Sequence, residues 1–287
     1  MKKICLIVIV LLFAELSHAQ YGIKTNGTAF PVGWRKGELS LFQNGRYGTG
    51  RKSEINLHPV AFFMMPHIHY KKYWTSFPAF NRQIAFATRH GAYYPTLLLD
   101  FTRTQAFIPE DFRTTEKAAH TIGFNNEFIF STFLKPATHC DAPDHLLTLK
   151  LGAKYAYSFD TSMQAVVNKP VFHRESSSVK PEFLWNAQIA LTGHLGHYLY
   201  YFGDLAFHSY KYNVENFSAE SKLGAYGYFG DKFSFMGGVK LIYTNHPELN
   251  AFSVYPMINL YYHFQLKKKK AKERGLFKND PFNFEDA

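Results

Sequence analysis

Residues 145–159 read HLLTLKLGAKYAYSF, and their alternation limits the folds open to this chain more than any other feature. Leu147, Leu149, Leu151, Ala153, Tyr155, Tyr157 and Phe159 fall on one parity; Thr148, Lys150, Gly152, Lys154, Ala156 and Ser158 fall on the other. A period of two is the period of a β-strand, whose successive side chains point to opposite faces. Such a strand has one oily face and one wet face. The oily face must meet either a protein core or lipid.

The chain's ends narrow that choice. Met1-Lys2-Lys3, an apolar run from Ile4 to Ala14 and the small-x-small triplet Ser17-His18-Ala19 form the pattern of a secretory signal peptide, expected to be cleaved after Ala19. Cys5 leaves with it, so one cysteine, Cys140, remains and no intrachain disulfide is possible. Beyond residue 20 the oiliest run, VAFFMM at 60–65, stops at Pro66, far short of a membrane helix. If the mature chain enters a membrane it must do so as a closed barrel. A chain of 287 residues with 19 Tyr and 29 Phe also suits a barrel, because aromatic girdles line both membrane interfaces.

The strand pattern recurs. The segments 182–192, 197–210, 217–229, 232–243 and 251–266 alternate like 145–159, and 38–48, 54–65, 67–74, 83–90, 94–103 and 121–134 are plausible strands. Their sum predicts an all-β fold, a transmembrane antiparallel up-and-down barrel of about twelve strands, with ten as the alternative because of Pro59 and the short 83–90 segment. The expected organisation is a signal peptide over 1–19, a periplasmic segment over 20–37, the barrel over 38–266 and a basic periplasmic tail over 267–287. Long and short connections alternate in the second half. Gly230-Asp231, 193–196 and 135–144 are therefore assigned to the periplasm, and 160–181, 211–216 and 244–250 to the exterior. The 104–120 link is external.

A soluble sandwich would also alternate, but it would carry commonly charged outer faces. Here the wet faces are built from Thr, Ser, Gly, Asn, Gln and Tyr with few charges. On the barrel reading Lys150, Lys154, Glu182, Asn186, Asp204, Lys222, Lys240 and His263 face the lumen. The signal peptide, the opening GELSLFQNGRYGTGRKSEINLHPVAFFMMP and the hairpins to residue 266 resemble bacterial outer-membrane β-barrel proteins, in particular those of Gram-negative envelopes. That resemblance implies outer-membrane lipid, lipopolysaccharide and the barrel-assembly machinery as partners. The chain departs from the pattern at its end, where Phe264 is followed by a basic tail instead of a terminal aromatic residue.

Formal net charge is +10, and much of it lies in KKKKAKER (267–274). For an exported chain this excludes nucleic acid as the natural partner and points to anionic headgroups, or to a periplasmic partner of the tail. No cofactor is implied.

Sites of chemistry are weakly marked. His67 and His69 share a strand face, and His139, Cys140 and His145 crowd a turn with Asp141 and Asp144; both are candidate metal sites without zinc-motif spacing. Some membrane lipases and deacylases are barrels with a Ser–His pair at the rim, which makes His208, Asp204 and Ser218 or Ser221 the catalytic candidates. The leading expectation is a passive channel or a small-solute binding or transport barrel. A lipid-modifying acyl hydrolase is the alternative, and a structural or adhesive barrel acting through its external loops is the third.

Overall fold

The structure, a computed structural model, describes residues 26–59, 61–63, 65–94, 96–97, 120–134, 145–159, 183–195, 199–210, 213–230, 232–245 and 251–266. Its strands are β1 (Lys36–Ser40), β2 (Gly45–Gly50), β3 (Ser53–Leu57), β4 (His67–Ala79), β5 (Arg82–Tyr93), β6 (Thr121–Phe133), β7 (His145–Ser158), β8 (Phe183–His194), β9 (Leu199–Tyr210), β10 (Asn213–Phe229), β11 (Phe233–Asn245) and β12 (Ala251–Gln265). Each strand pairs antiparallel with its sequence neighbours, and β1 pairs with β12, so the sheet closes into a barrel. The protein is a twelve-stranded transmembrane up-and-down barrel.

The alternation in β7 sorts as the sequence implies. Leu146, Thr148, Lys150, Lys154 and Ala156 are buried inside, while Leu149, Leu151, Tyr155 and Tyr157 are exposed on the outer wall. The same outer wall continues through Phe128, Ile189, Leu205, Leu223, Val239, Val254 and Ile258, all exposed. An apolar surface running round the whole circumference is what hydrocarbon solvates and water does not.

The two rims differ. One carries the links 51–52, 80–81, 134–144, 195–198 and 230–232, together with the first residue of β1 and the last of β12; the other carries 41–44, 58–66, 94–120, 159–182, 211–212 and 246–250. The first is the turn rim. One of its two-residue hairpins, β4–β5, turns on Phe80 and Asn81, both left-handed at φ 50° and 60°, the conformation that matches strand twist in a two-residue loop.

The N-terminal part departs from expectation in three places. The predicted strand 38–48 is two strands, β1 and β2, because Asn44-Gly45 acts as a hairpin signal. Gln43 N donates to Ser40 Oγ and Phe42 N to Asn259 Oδ1, which fixes that turn. The predicted 54–65 strand stops at Leu57, where Pro59 cannot donate to a ladder, and a 3-10 turn follows at Ala61–Phe63. Of the predicted 94–103 strand, Thr96 and Leu97 are helical and Tyr94 lies outside any strand; the rest is outside the described residues.

A charged residue on the outer wall should cost most at mid-height. Ile258→Arg, on a position 60% exposed to the outside, is expected to destabilise the barrel by about 2–4 kcal/mol. Phe233→Arg, at the turn rim, should cost about 0–1 kcal/mol. Urea unfolding in phospholipid vesicles measures both; equal costs would mean the wall does not meet hydrocarbon.

Candidate functional site

A twelve-stranded barrel is narrow enough for side chains to fill much of its interior, so its chemistry lies in how the inward faces are furnished. Toward the turn rim, β1–β4 contribute a charge network. Arg46 Nε donates to Glu38 Oε1 at 2.7 Å, Arg46 lies 3.8 Å from Glu54 Oε2, and Lys71 Nζ is 2.8 Å from Glu54 Oε1. All four side chains are buried. His263 on β12 extends the network, with Nδ1 3.7 Å from Glu38 Oε2 and Nε2 2.9 Å from Ser234 Oγ.

That network holds a strap. Lys71 Nζ donates to the carbonyls of Thr28 (3.0 Å) and Phe30 (2.8 Å), and Val32 N donates to Glu54 Oε2 at 2.5 Å. Ala29 N donates to Ser131 Oγ at 2.9 Å, and Ala29 packs against Ala85, Ala87 and Ile129. Residues 28–32, expected in the periplasmic segment 20–37, thus run inside the barrel. Small side chains at 85 and 87 leave the room, and buried charges recruit the strap's backbone groups as partners.

Beside the strap lies an aromatic floor. Tyr200 and Tyr226 stack at 5.0 Å, Tyr228 meets both edge-on, and Tyr261, Met236 and Leu146 complete the cluster. Phe30 of the strap stacks on Phe133 at 5.4 Å and packs against this cluster. Tyr261 OH donates to Gln43 Oε1 at 2.7 Å.

Above the floor the interior is polar. Arg89 donates to Glu127 Oε1 at 2.7 Å. Lys150 Nζ donates to Gln188 Oε1 (3.4 Å), and Gln188 Nε2 donates to Asp204 Oδ2 (2.9 Å). Asp204 faces Lys222 across β9–β10, Lys222 faces Lys240 across β10–β11, and Lys240 Nζ lies 3.3 Å from Glu220 Oε2. Gln188, Asp204, Lys222 and Lys240 point inward yet are only half-buried, which marks interior space beside them. Among the described residues the inward cations Arg46, Lys71, Arg89, Lys150, Lys154, Lys222 and Lys240 outnumber the inward carboxylates Glu38, Glu54, Glu127, Asp204 and Glu220.

The sequence candidates distribute as follows. Lys150, Lys154, Asn186, Asp204, Lys222, Lys240 and His263 lie on inward faces, and Glu182 is outside the described residues. His208 and Ser218 are register partners, both buried and inward, and Asn186 partners His208 from the other side. The result is a row Asn186–His208–Ser218 across three strands. Ser218 Oγ makes no hydrogen bond among the described residues, to that imidazole or to any other group. Asp204 sits four residues along from His208, engaged by Gln188. Ser221 pairs with Leu205 and Leu241 on the outer-wall parity, facing away from His208.

His67 and His69 are both buried, with ring centroids 5.6 Å apart. His67 spends both nitrogens within the protein: Nε2 accepts from His58 N at 3.1 Å, and Nδ1 meets Met65 O at 2.8 Å. Among the described residues no group of three His, Cys, Asp or Glu is arranged for a metal ion. His139 and Cys140 are outside the described residues, and His145 lies at the turn rim with Nδ1 2.9 Å from Tyr201 OH.

Sequence reasoning missed Glu38, Arg46, Glu54, Lys71, Arg89 and Glu127. A signal was present, since His67, His69 and Lys71 share one parity against Ile68 and Tyr70, and Asn125 and Glu127 share one against Phe124 and Phe128, although Asn126 and Lys72 blur both.

The sequence matches no protein-family model and no curated protein. Among solved structures it is similar to the outer-membrane expressed OmpT of Vibrio cholerae, with a TM-score of 0.40 and 9% identity over 77% of this chain and 64% of that one. The chain therefore spans under two thirds of that neighbour's length, and the likeness is one of fold alone.

Removing one member of the buried network leaves the others without compensation. Glu54→Ala is expected to cost about 3–5 kcal/mol in urea unfolding, and adding Lys71→Met should recover part of that loss. A double variant as unstable as the sum of its single changes would show that the pair is not coupled.

Proposed function

We propose that the protein is an outer-membrane barrel of a Gram-negative envelope, exported behind a cleaved leader. It admits small polar solutes from the long-loop side into an interior chamber and closes that chamber toward the periplasm with its own strap and floor. The observation that carries this is the contrast between the two levels of the interior. Near the turn rim the strap, the four-charge network and the tyrosines pack together, whereas Gln188, Asp204, Lys222 and Lys240 higher up remain half-exposed inside the wall. The surplus of lysine favours anionic solutes, because narrow low-dielectric surroundings strengthen that field.

Planar-bilayer conductance tests it. The wild-type protein should pass little steady current, and Glu54→Gln with Lys71→Met, which releases the strap's anchors, should raise conductance severalfold. A wild type that conducts steadily, like an open pore, would remove the closure. A released variant that stays folded and silent would remove the chamber.

A second reading has the Asn186–His208–Ser218 row in its favour, the amide–imidazole–hydroxyl set used for acyl transfer. On it, His208 takes the Ser218 hydroxyl proton as Oγ attacks the carbonyl of a lipid ester, the ester C–O bond breaks and the alcohol leaves with that proton, and water then cleaves the acyl-serine to free the fatty acid. His208→Ala and Ser218→Ala should then each abolish fatty-acid release from lipid extracts, followed by mass spectrometry. Release that persists in both variants, or is missing from the wild type, rules it out.

A further inference from the structure

We propose that the turn rim over β1–β4 is a binding surface for anionic phospholipid headgroups. The cations Arg35, Lys36, Arg51, Lys52 and Lys72 gather there, and the only carboxylates of these strands, Glu38 and Glu54, are turned inward and buried in the strap network. Arg35 N donates to Gly48 O, three residues before Arg51, and Tyr73 N donates to Lys52 O, so the start of β1, the 51–52 link and Lys72 on β4 follow one another along this side. Leu266 N donates to Arg35 O at 3.0 Å, which puts the end of β12 beside the patch.

Aromatic rings place this charge at the membrane interface. Lys72 Nζ lies 4.1 Å over the ring of Trp74, and Arg35 Cζ lies 4.6 Å over that of Trp34. Trp74 is 48% exposed on the outer wall that bears Ile68 and Tyr70, next to Tyr73, whose N donates to Lys52 O of the 51–52 link, and its Nε1 donates to Thr88 Oγ1 at 2.9 Å. An indole anchored in this way sits where hydrocarbon gives way to headgroups, and the ammonium above it snorkels toward phosphate. An acidic protein would approach from beneath the rim and would leave that outer-wall pair unused. Anionic headgroups attract basic clusters within a Debye length of the surface.

Tryptophan quenching by brominated lipids in vesicles tests the proposal on the full chain. Brominated phosphatidylglycerol should quench the wild type at least threefold more effectively than brominated phosphatidylcholine. Replacing Trp34 and Trp74 together by Phe should remove that preference, and Trp185→Phe should retain it. The combined variant R35Q/K36Q/R51Q/K52Q/K72Q should quench equally with both lipids while keeping its heat-modifiable gel mobility. Equal quenching of the wild type by the two lipids overturns the proposal, as does an unchanged preference in the combined variant. Polyglutamate that abolishes the preference at matched charge would assign the patch to an acidic protein and overturn it too. Assignment of the rim to the periplasm rests on the function proposed above and is read separately. In a Cys140→Ser background, R51C should react with an impermeant maleimide only after the outer membrane is permeabilised. Labelling in intact cells would invert the barrel without touching the lipid result.

Discussion

Hydrocarbon offers no hydrogen bonds, and every other feature of this molecule follows from that. A strand crossing lipid must place each backbone amide and carbonyl on a neighbouring strand, so the sheet cannot end. Here the closing pairing is Lys36 to Ser40 against Gln265 to Tyr261. Those few residues convert an open sheet with two exposed edges into a barrel with none.

Closure at twelve strands then sets the problem of the interior. Side chains from the inward parity meet across a narrow lumen, and any charge among them loses water. The protein answers by pairing: Arg46 lies between Glu38 and Glu54, Lys71 with Glu54, Arg89 with Glu127, and Lys240 with Glu220. Where four charges meet, the strap supplies carbonyls for Lys71 and an amide for Glu54. What stabilises the lower interior therefore also occupies it.

Much of the fold was legible because its dominant force writes a period-two code. In β6 to β12 the lipid face is apolar at almost every second residue, and the expected strand bounds there fall within a few positions of the observed ones. The N-terminal quarter was harder. β1 to β3 have only five or six residues each, too few for a period to stand out, and the Asn44-Gly45 turn was absorbed into a single longer strand. The site was less legible still. Lys150, Asp204 and Lys240 could be assigned a parity, but nothing local in Thr28-Ala29-Phe30 says that this segment will lie inside the barrel. Its partners Lys71 and Ser131 are remote in sequence, and pattern reading along a chain does not see such contacts. The pairing of His208 with Ser218, by contrast, followed once strand order and register were known.

The strap also has a bearing on the order of assembly. Its anchors in the first strands lie close along the chain, 22 residues away for Glu54 and 41 to 43 for Lys71, whereas Ser131 is 102 residues away. An N-terminal subassembly of β1–β4 can therefore capture the segment while the remaining strands are still being added. Capture after the seam between β1 and β12 has sealed would require threading a chain into a crowded tube. The least costly route nucleates at the beginning of the polypeptide and sews the seam last, with the plug already seated.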